Sequence, residues 1–436
     1  MRALYLSLTG AVALCPAAAA AQQEVRSQVD VAATGGYSNN PFAVTGDDTG
    51  SAFVALDITP QVSIADARSR FVVTGAVRLQ QYLRRYSTND SYAAAADYTT
   101  RASERFTAHA RLDVSSSVIG GYDSYVPTSI GSGIGSGIGS GIGTGLGTGI
   151  GTGTGTTTPG GVTADPVVVP VTTVPLVPST FNDIGLYGLR DRRRFARLAV
   201  DTTATLSARD ALTLSGFAEL SRYRRVSLGD FEGYGVTVGY SRQVSERLRA
   251  GVQASTELYD YPGANDTRVY SLQGTAALRL NSFWSINGSL GASFIDRDND
   301  GSGAHASLSG SLAACRQGPR STTCLTAARQ VTATGLVGTQ FLTSVTATHR
   351  VRLSERSNLS LDTSYSRVGS ENNPLIAGGV IANEFARFSA GYDRRLSQRM
   401  RMVASANVRQ LFGERQSRPL DYGAQAGVSI RLGDPR

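Results

Sequence analysis

The chain has 436 residues, of which 41% are hydrophobic and 17% charged, and it carries a formal net charge of +8 with 49 glycines and 3 cysteines. So low a charged fraction beside so many glycines excludes a charge-rich disordered protein, a coiled coil and a disulfide-dense small domain. All 42 basic residues are arginine, which also excludes Schiff-base and phosphate-loop chemistry that needs a lysine.

The first residues have the pattern of a secretion signal. A short basic start precedes the apolar run Ala3–Leu14 and a stretch of small residues. This order predicts a cleaved signal peptide over residues 1–21 and an exported single-domain chain over 22–436. Leu14 is too large for the position before a lipid-modified cysteine, which argues against an anchor on Cys15. After this segment no apolar run reaches the roughly 18 residues of a membrane helix.

The mature chain is dominated by segments in which apolar and polar residues alternate. Between residues 248 and 258, the even positions are mostly Leu, Ala and Val, and the odd positions are mostly polar. A period of two indicates strands rather than helices. A tilted strand needs about 9–11 residues to cross a bilayer, and these runs are that long or longer. Eighteen strands are predicted, near residues 27–38, 51–64, 70–86, 92–102, 105–118, 192–206, 210–224, 231–245, 247–260, 268–281, 283–296, 303–315, 324–334, 339–353, 358–368, 384–396, 399–411 and 421–432.

A short phrase of the type Leu-Ser-Glu-Arg returns at every second connection, for example at Ser207, Ser245, Ser354 and Ser397. Longer polar segments stand midway between these turns. Short turns at one end and long loops at the other are typical of outer-membrane barrels. The predicted fold is therefore an all-β, transmembrane, antiparallel up-and-down barrel of about 18 strands, within 16 to 20, with both termini at the short-turn end. A soluble propeller or sandwich is the alternative, since any half-buried strand alternates.

One low-complexity insertion, at about residues 119–191, interrupts the repeat. Every odd position from Gly131 to Gly155 is glycine, and a segment rich in Val, Thr and Pro follows. Strict alternation cannot form a dinucleotide-binding glycine motif, so nucleotide binding is rejected. The insertion is predicted to be an external loop, either a flexible surface segment or a segment that folds inward to narrow a pore.

Other candidate sites are few. Cys315 and Cys324 flank a Gly-Pro turn, which favours a disulfide in an exported protein over a redox pair or metal ligands. The opening of a calcium loop occurs at Asp296, Asp298 and Asp300, but the twelfth position is a serine, so the site is weak and no metal is predicted. His109, His305 and His349 are scattered and no catalytic motif accompanies them, so no enzyme and no cofactor are predicted.

The polar faces of the predicted strands carry many arginines. A low-dielectric wall around a water-filled lumen would focus their positive field and attract anions, and guanidinium and aromatic groups also bind sugars and carboxylates. Arginines near strand ends could instead only stabilise the wall. Because the charge is spread over strand faces, nucleic acid is not expected as a partner. The predicted lumen-lining residues are Arg78, Gln80, Tyr82, Arg84, Arg249, Gln253, Glu257, Tyr259, Gln273, Arg279, Arg350, Arg352, Arg401, Arg409 and Arg431.

Three features carry a family resemblance: the segment Gly36–Phe42, the recurring Leu-Ser-Glu-Arg turns and the segment Cys315–Leu325. In these the mature chain resembles the β-barrel porin 2 family of Gram-negative outer membranes, and especially its alphaproteobacterial, sphingomonad-like members. Its end is similar to a barrel-assembly signal, but it lacks the terminal aromatic residue. The resemblance implies a transmembrane barrel and a link to exopolysaccharide or capsule export.

Two functions are expected on these grounds. The first is an outer-membrane channel for anionic or saccharide solutes, with exopolysaccharide exit as its narrower form. The second is a structural or adhesive surface protein whose barrel anchors the glycine-rich loop. The expected partners are outer-membrane lipid and lipopolysaccharide, the barrel-assembly machinery and polysaccharide-export components.

Overall fold

The computed structural model of the chain describes residues 24–44, 46, 48–119, 190–224, 229–262, 266–297, 305–333, 338–368, 382–413 and 419–433. The predicted signal peptide and residues 120–189 of the predicted insertion lie outside this set. The strands are β1 (Glu24–Ser38), β2 (Ser51–Ala65), β3 (Ser69–Tyr82), β4 (Thr88–Ser103), β5 (Phe106–Val118), β6 (Arg192–Thr205), β7 (Asp210–Tyr223), β8 (Phe231–Gln243), β9 (Leu248–Asp260), β10 (Thr267–Arg279), β11 (Trp284–Arg297), β12 (His305–Gln317), β13 (Ser321–Ala333), β14 (Thr339–Ser354), β15 (Ser357–Val368), β16 (Ala382–Arg395), β17 (Met400–Gly413) and β18 (Asp421–Gly433).

The eighteen strands form one closed antiparallel sheet. Each strand pairs with its neighbours in sequence, and β1 also pairs with β18. At this closing seam Val31 lies opposite Ile430, and Asp30 lies opposite Arg431. The predicted 18-stranded up-and-down barrel is therefore confirmed. Both ends of the described chain lie at the end of the barrel with the short turns, here called the turn end; the opposite end is called the loop end.

The two faces of the wall differ in chemistry. Outward-facing side chains include many large apolar residues that are exposed in the isolated barrel, such as Leu272, Leu290 and Leu308 at 57%, 65% and 63%. The inward-facing positions of the same strands are largely polar, and many of them are buried. A soluble barrel has the opposite arrangement, because it hides its apolar side from water. This outer surface therefore requires lipid around it, which a closed barrel tolerates because its backbone is hydrogen-bonded between strands.

Side-chain oxygens stabilise the short turns. In the turn between β6 and β7, the Ser207 Oγ accepts hydrogen bonds from the backbone N–H groups of Arg209 and Asp210, both at 3.1 Å. Serine is favoured in such turns because its oxygen satisfies N–H groups that the ladder leaves unpaired. Asp66 has the same role before β3, and its hydrogen bonds with Ser69 and Arg68 lower the pKa of its carboxyl. The repeated serine phrase is thus a turn device.

Two strand boundaries differ by four residues from the prediction, and one of them is the start of the fourth strand, which was expected at residue 92 and lies at Thr88. The third strand was expected to run to residue 86, whereas β3 ends at Tyr82. Arg85 and Ser87 have positive φ angles of 67° and 54°, so the chain reverses there. This reversal places Arg84 in the connecting loop. In the part of the chain that the structure describes, no helix is long and apolar enough to cross a membrane.

Candidate functional site

The predicted lumen residues on the strands all belong to the inward-facing positions. They are Arg78, Gln80 and Tyr82 on β3, Arg249, Gln253, Glu257 and Tyr259 on β9, Gln273 and Arg279 on β10, Arg350 and Arg352 on β14, Arg401 and Arg409 on β17, and Arg431 on β18. Arg84 is outside this set, since it lies beyond the end of β3. Facing inward does not make a side chain accessible: Gln80, Tyr82 and Arg409 are exposed by 0%, 2% and 2%. That these residues line a pore stays a prediction.

Two of the predicted arginines are neutralised toward the loop end. The Arg78 Nε lies 3.5 Å from the Asp57 carboxylate, and its Nη2 donates to Gln425 Oε1 at 3.2 Å. Arg409 forms a buried ion pair with Asp421 and also donates to the carbonyls of Asn40 and Pro41. Asn40 and Pro41 follow β1, so Arg409 fastens the first loop to the wall. These two cations hold the barrel together and offer little charge to a solute.

A chain of amide and hydroxyl groups crosses four strands of the inner wall. Gln253 Nε2 donates to Gln273 Oε1 at 2.9 Å, and Gln273 Nε2 donates to Ser309 Oγ at 3.0 Å. Ser293 Oγ also donates to Ser309 Oγ, at 2.7 Å. Each group provides a hydrogen-bond partner for the next. The two predicted glutamines therefore belong to a hydrogen-bond network in the wall that continues into β12.

An acidic cluster lies on β7 and β9, and the sequence prediction found only part of it. The Arg197 Nη1 lies 3.2 Å from Glu219 Oε2, and its guanidinium stacks 4.6 Å from the Phe217 ring centre. On β9, the Tyr259 hydroxyl donates to Glu257 Oε2 at 2.8 Å. Arg197 and Glu219 were missed because they lie directly opposite each other only in the β6–β7 register.

A second group that the sequence prediction missed is centred on His109. Its Nε2 lies 3.1 Å from Asp97 Oδ1, and its Nδ1 lies 3.6 Å from Asp201 Oδ2. The three residues come from β4, β5 and β6. A histidine between two carboxylates balances part of the acidic charge on this side of the lumen.

In contrast to the paired arginines near the loop end, the exposed inward-facing arginines lie at the turn end. Apart from Arg26, which is paired with Glu24, six of them lie within the first or last five residues of their strands, namely Arg70, Arg101, Arg279, Arg350, Arg352 and Arg395. This set is called the basic rim. The turns next to it add seven exposed arginines, which are Arg68, Arg105, Arg209, Arg247, Arg320, Arg356 and Arg399. The turn end is therefore the most strongly basic part of the described barrel.

Aromatic side chains cluster inside the loop end. One cluster contains Phe42, Phe53, Tyr82 and Tyr86, and the guanidinium of Arg190 stacks on Phe42 at 4.7 Å. Phe42 comes from the first loop, so that loop bends into the barrel. A second cluster contains Phe231, Tyr259, Tyr261, Val269, Ile295, Ala333 and Phe341. Both clusters occupy space at the loop end of the lumen.

Cys315 and Cys324 form a disulfide between β12 and β13, with their Cα atoms 4.1 Å apart. Of the weak calcium candidates, Asp296 lies at the end of β11, whereas Asp298 and Asp300 are outside the described residues. Among the residues that the structure describes, no group of three or more His, Cys, Asp or Glu side chains could hold a metal ion.

No family model matches the chain, and no curated protein does. Several solved outer-membrane proteins of Pseudomonas aeruginosa are similar to the chain at low identity. OccK2 (OpdF), crystallised with glucuronate, is 10% identical, with 94% of this chain and 98% of that chain covered and a TM-score of 0.42. OpdK with vanillate is 10% identical over 94% and 99% of the two chains at 0.42, and OprD is 10% identical over 93% and 95% at 0.39.

The location follows from the barrel itself. Closed antiparallel barrels with an apolar outer surface, short turns at one end and longer loops at the other span bacterial outer membranes, with the short turns on the periplasmic side. The eighteen strands, the sheet closure between β1 and β18 and the exposed leucines meet this description. The chain is an 18-stranded β-barrel of the outer membrane.

Proposed function

We propose that the barrel is a porin-like channel that admits anionic solutes at its periplasmic end. The basic rim is the observation that carries this proposal. Its six arginines are exposed and face inward, so their charge acts on the water at the mouth. A wall of low dielectric constant focuses such a field along the axis and raises the local concentration of anions.

The arrangement of charge along the barrel also supports the admission of anions at the periplasmic end. Toward the loop end the inward arginines are paired, as Arg78 is with Asp57 and Arg409 is with Asp421. Glu219 and Glu257, also toward the loop end, and the carboxylates around His109, nearer the turn end, offset further cations. Selectivity for anions is therefore expected to originate at the periplasmic mouth and not along the whole lumen.

The narrower form of the proposal is that the solute is an acidic saccharide and that the barrel is the exit for an exopolysaccharide. Guanidinium groups bind carboxylates through paired hydrogen bonds, and the basic rim faces the compartment from which such a polymer would arrive. The alternative is a surface protein whose barrel only anchors the loop between β5 and β6. It involves no ion flow, so conductance separates the two.

Planar bilayers with a KCl gradient test the channel. We expect the wild-type barrel to give a reversal potential that favours chloride, and the variant Arg350→Glu/Arg352→Glu to shift it toward potassium. Arg394→Glu is the matched control, because Arg394 lies at the same level of the wall on an outward-facing position. An unchanged reversal potential in the double variant would refute the role of the basic rim. The absence of any conductance in the wild type would favour the anchor.

Two further experiments separate the narrower forms. Deletion of the gene should leave polymer synthesis intact and abolish secretion if the barrel is the exit; normal secretion would refute that role. Deletion of residues 129–161 should raise the single-channel conductance if the loop folds inward and narrows the pore. Unchanged conductance would remove the inward-folding interpretation of the loop.

A further inference from the structure

The seam between β12 and β13 is incomplete. Its ladder runs from the pair Gln317–Thr322 to the pair Gly310–Arg329 and stops there, after eight pairs. Both strands continue: β12 extends back to His305, where it pairs with β11, and β13 extends to Ala333, where it pairs with β14. All other neighbouring strands share at least ten pairs in the described residues. Above Gly310 the edges of β12 and β13 therefore have no ladder between them.

The tip of the β13–β14 hairpin explains the separation, because it bends into the lumen. Ala333 and Phe341 belong to the outward-facing set by alternation, yet they are 1% and 4% exposed. They pack with inward-facing residues of β8 to β11, including Phe231 and Val269. The Tyr261 hydroxyl donates to the Gly338 carbonyl at 2.9 Å and ties the hairpin tip to that wall. As the tip moves inward, β13 leaves β12.

The gap lies at the depth of the membrane. Leu308, beside the gap, is 63% exposed and pairs with Ala292 of β11, whose outward neighbours Leu290 and Phe294 are 65% and 43% exposed. Strand edges without a ladder do not face lipid chains, because their polar backbone groups would lose their hydrogen bonds; they are tolerated where they line a water-filled cavity. The gap is therefore expected to communicate with the lumen.

The walls of the gap are amphipathic. Leu308 stands on the lipid side, whereas the hydroxyls of Ser307 and Ser309 stand on the lumen side. Arg329 reaches across the seam, where its Nη2 donates to Ser307 Oγ at 3.3 Å, and on its other side its Nη1 donates to Thr343 Oγ1 of β14 at 3.2 Å. Its guanidinium also stacks on Phe341, 5.1 Å from the ring centre. The Arg329 guanidinium thus lies between the polar lumen and the apolar outer surface. This position suits a ligand that has an anionic headgroup and an alkyl chain.

We propose that the upper part of the β12–β13 seam is a lateral port through which single-chain anionic amphiphiles pass between the lumen and the outer leaflet. The Cys315–Cys324 disulfide joins the same two strands at the base of the seam. The pair Gly310–Arg329 is the lower limit of the port, and the disulfide helps to hold the ladder below that pair closed. The port is a route separate from the axial channel, since it needs neither the basic rim nor passage along the full axis.

Lipid access to the lumen side of the seam tests the opening. A bimane fluorophore is attached to Ser307→Cys in protein that keeps the Cys315–Cys324 disulfide, and the barrel is placed in nanodiscs of plain or dibrominated phosphatidylcholine. We expect brominated chains to quench bimane at position 307 severalfold more than bimane at Ser289→Cys, since both serines are partly exposed and face inward. Ser289 faces inward at the neighbouring seam, where it pairs with Ser311, so it is the matched control. Equal quenching at both positions would overturn the port.

A photoreactive fatty acid tests the passenger. We expect adducts in peptides that contain residues 305–310 and 329–333, severalfold fewer adducts in Arg329→Gln, and loss of adducts when Ser309→Cys/Gln330→Cys is oxidised to close the seam. Ser289→Cys/Ser311→Cys, oxidised in the same way, should keep them. Adducts spread evenly around the outer surface, or unchanged in both test variants, would overturn the proposal. Chloride selectivity measured on the same variants reports the axial channel, so failure of one route is distinguishable from failure of the other.

Discussion

At the scale of single residues, inward position and accessibility are different properties. Arg409 and Arg352 both face the lumen, but the Arg409 side chain is 2% exposed and paired with Asp421, whereas Arg352 is exposed at the turn end. A buried cation that has lost its hydration is stabilised only by its partners. Its contribution is to the fold, and the exposed arginines remain for solutes.

This distinction predicts the effect of removing Arg409. In Arg409→Met the Asp421 carboxylate loses its cation inside the barrel, and we expect the free energy of unfolding to fall by about 3–5 kcal/mol. Urea unfolding in detergent micelles measures this. Arg431→Met is the matched control, because the Arg431–Asp30 pair is more exposed, at 16% and 7%, and should contribute less. Equal losses in the two variants would contradict the argument from burial.

At the scale of strands and turns, the sequence predicts the features that depend on neighbouring residues, namely the strands, the direction in which their side chains face, and the short turns. Alternation, strand length and the repeated serine turns lead to the eighteen strands, because inward and outward positions follow directly from a period of two. The bend of the β13–β14 hairpin was not predicted. Alternation alone assigns Phe341 to the outward face, and the residues of β8 to β11 that cover it are distant in sequence. Contacts such as Arg78 with Gln425, 347 positions apart, depend on closure of the barrel and leave no local signal.

The disulfide gives a prediction at this scale. Removing it in Cys315→Ala/Cys324→Ala releases a loop of about ten residues, for which chain entropy gives a loss of roughly 2–3 kcal/mol. Because the β12–β13 ladder has eight pairs, we expect the loss to appear there first. Hydrogen exchange should accelerate at the amides of β12 and β13 that pair with each other, while the β15–β16 amides stay protected. Unchanged exchange at the β12–β13 seam would show that the ladder holds without the bond.

At the scale of the whole molecule, the central physical claim is that lipid covers the outward face. Every strand contributes to that face, and its leucines, valines and aromatic residues stay exposed when the barrel is considered alone. The inward face combines hydroxyls, amides and ion pairs in the same strands. A barrel with its apolar residues facing inward and its polar residues facing outward would be soluble. Substitutions on the two faces therefore distinguish a membrane barrel from a soluble one.

Leu272 and Thr275, both near the middle of β10, provide that comparison. Leu272 is 57% exposed on the outward face, and Thr275 faces inward. Arginine on a lipid-facing position near the bilayer midplane costs about 2–4 kcal/mol, so Leu272→Arg should lower the stability of the barrel in phospholipid vesicles by that amount and slow its insertion. Thr275→Arg should be nearly neutral, because a guanidinium there reaches the water of the lumen. Folding yield and urea titration in vesicles measure both variants. If Thr275→Arg were the damaging change and Leu272→Arg the neutral one, water would lie outside the wall, and both the outer-membrane location and the channel would have to be abandoned.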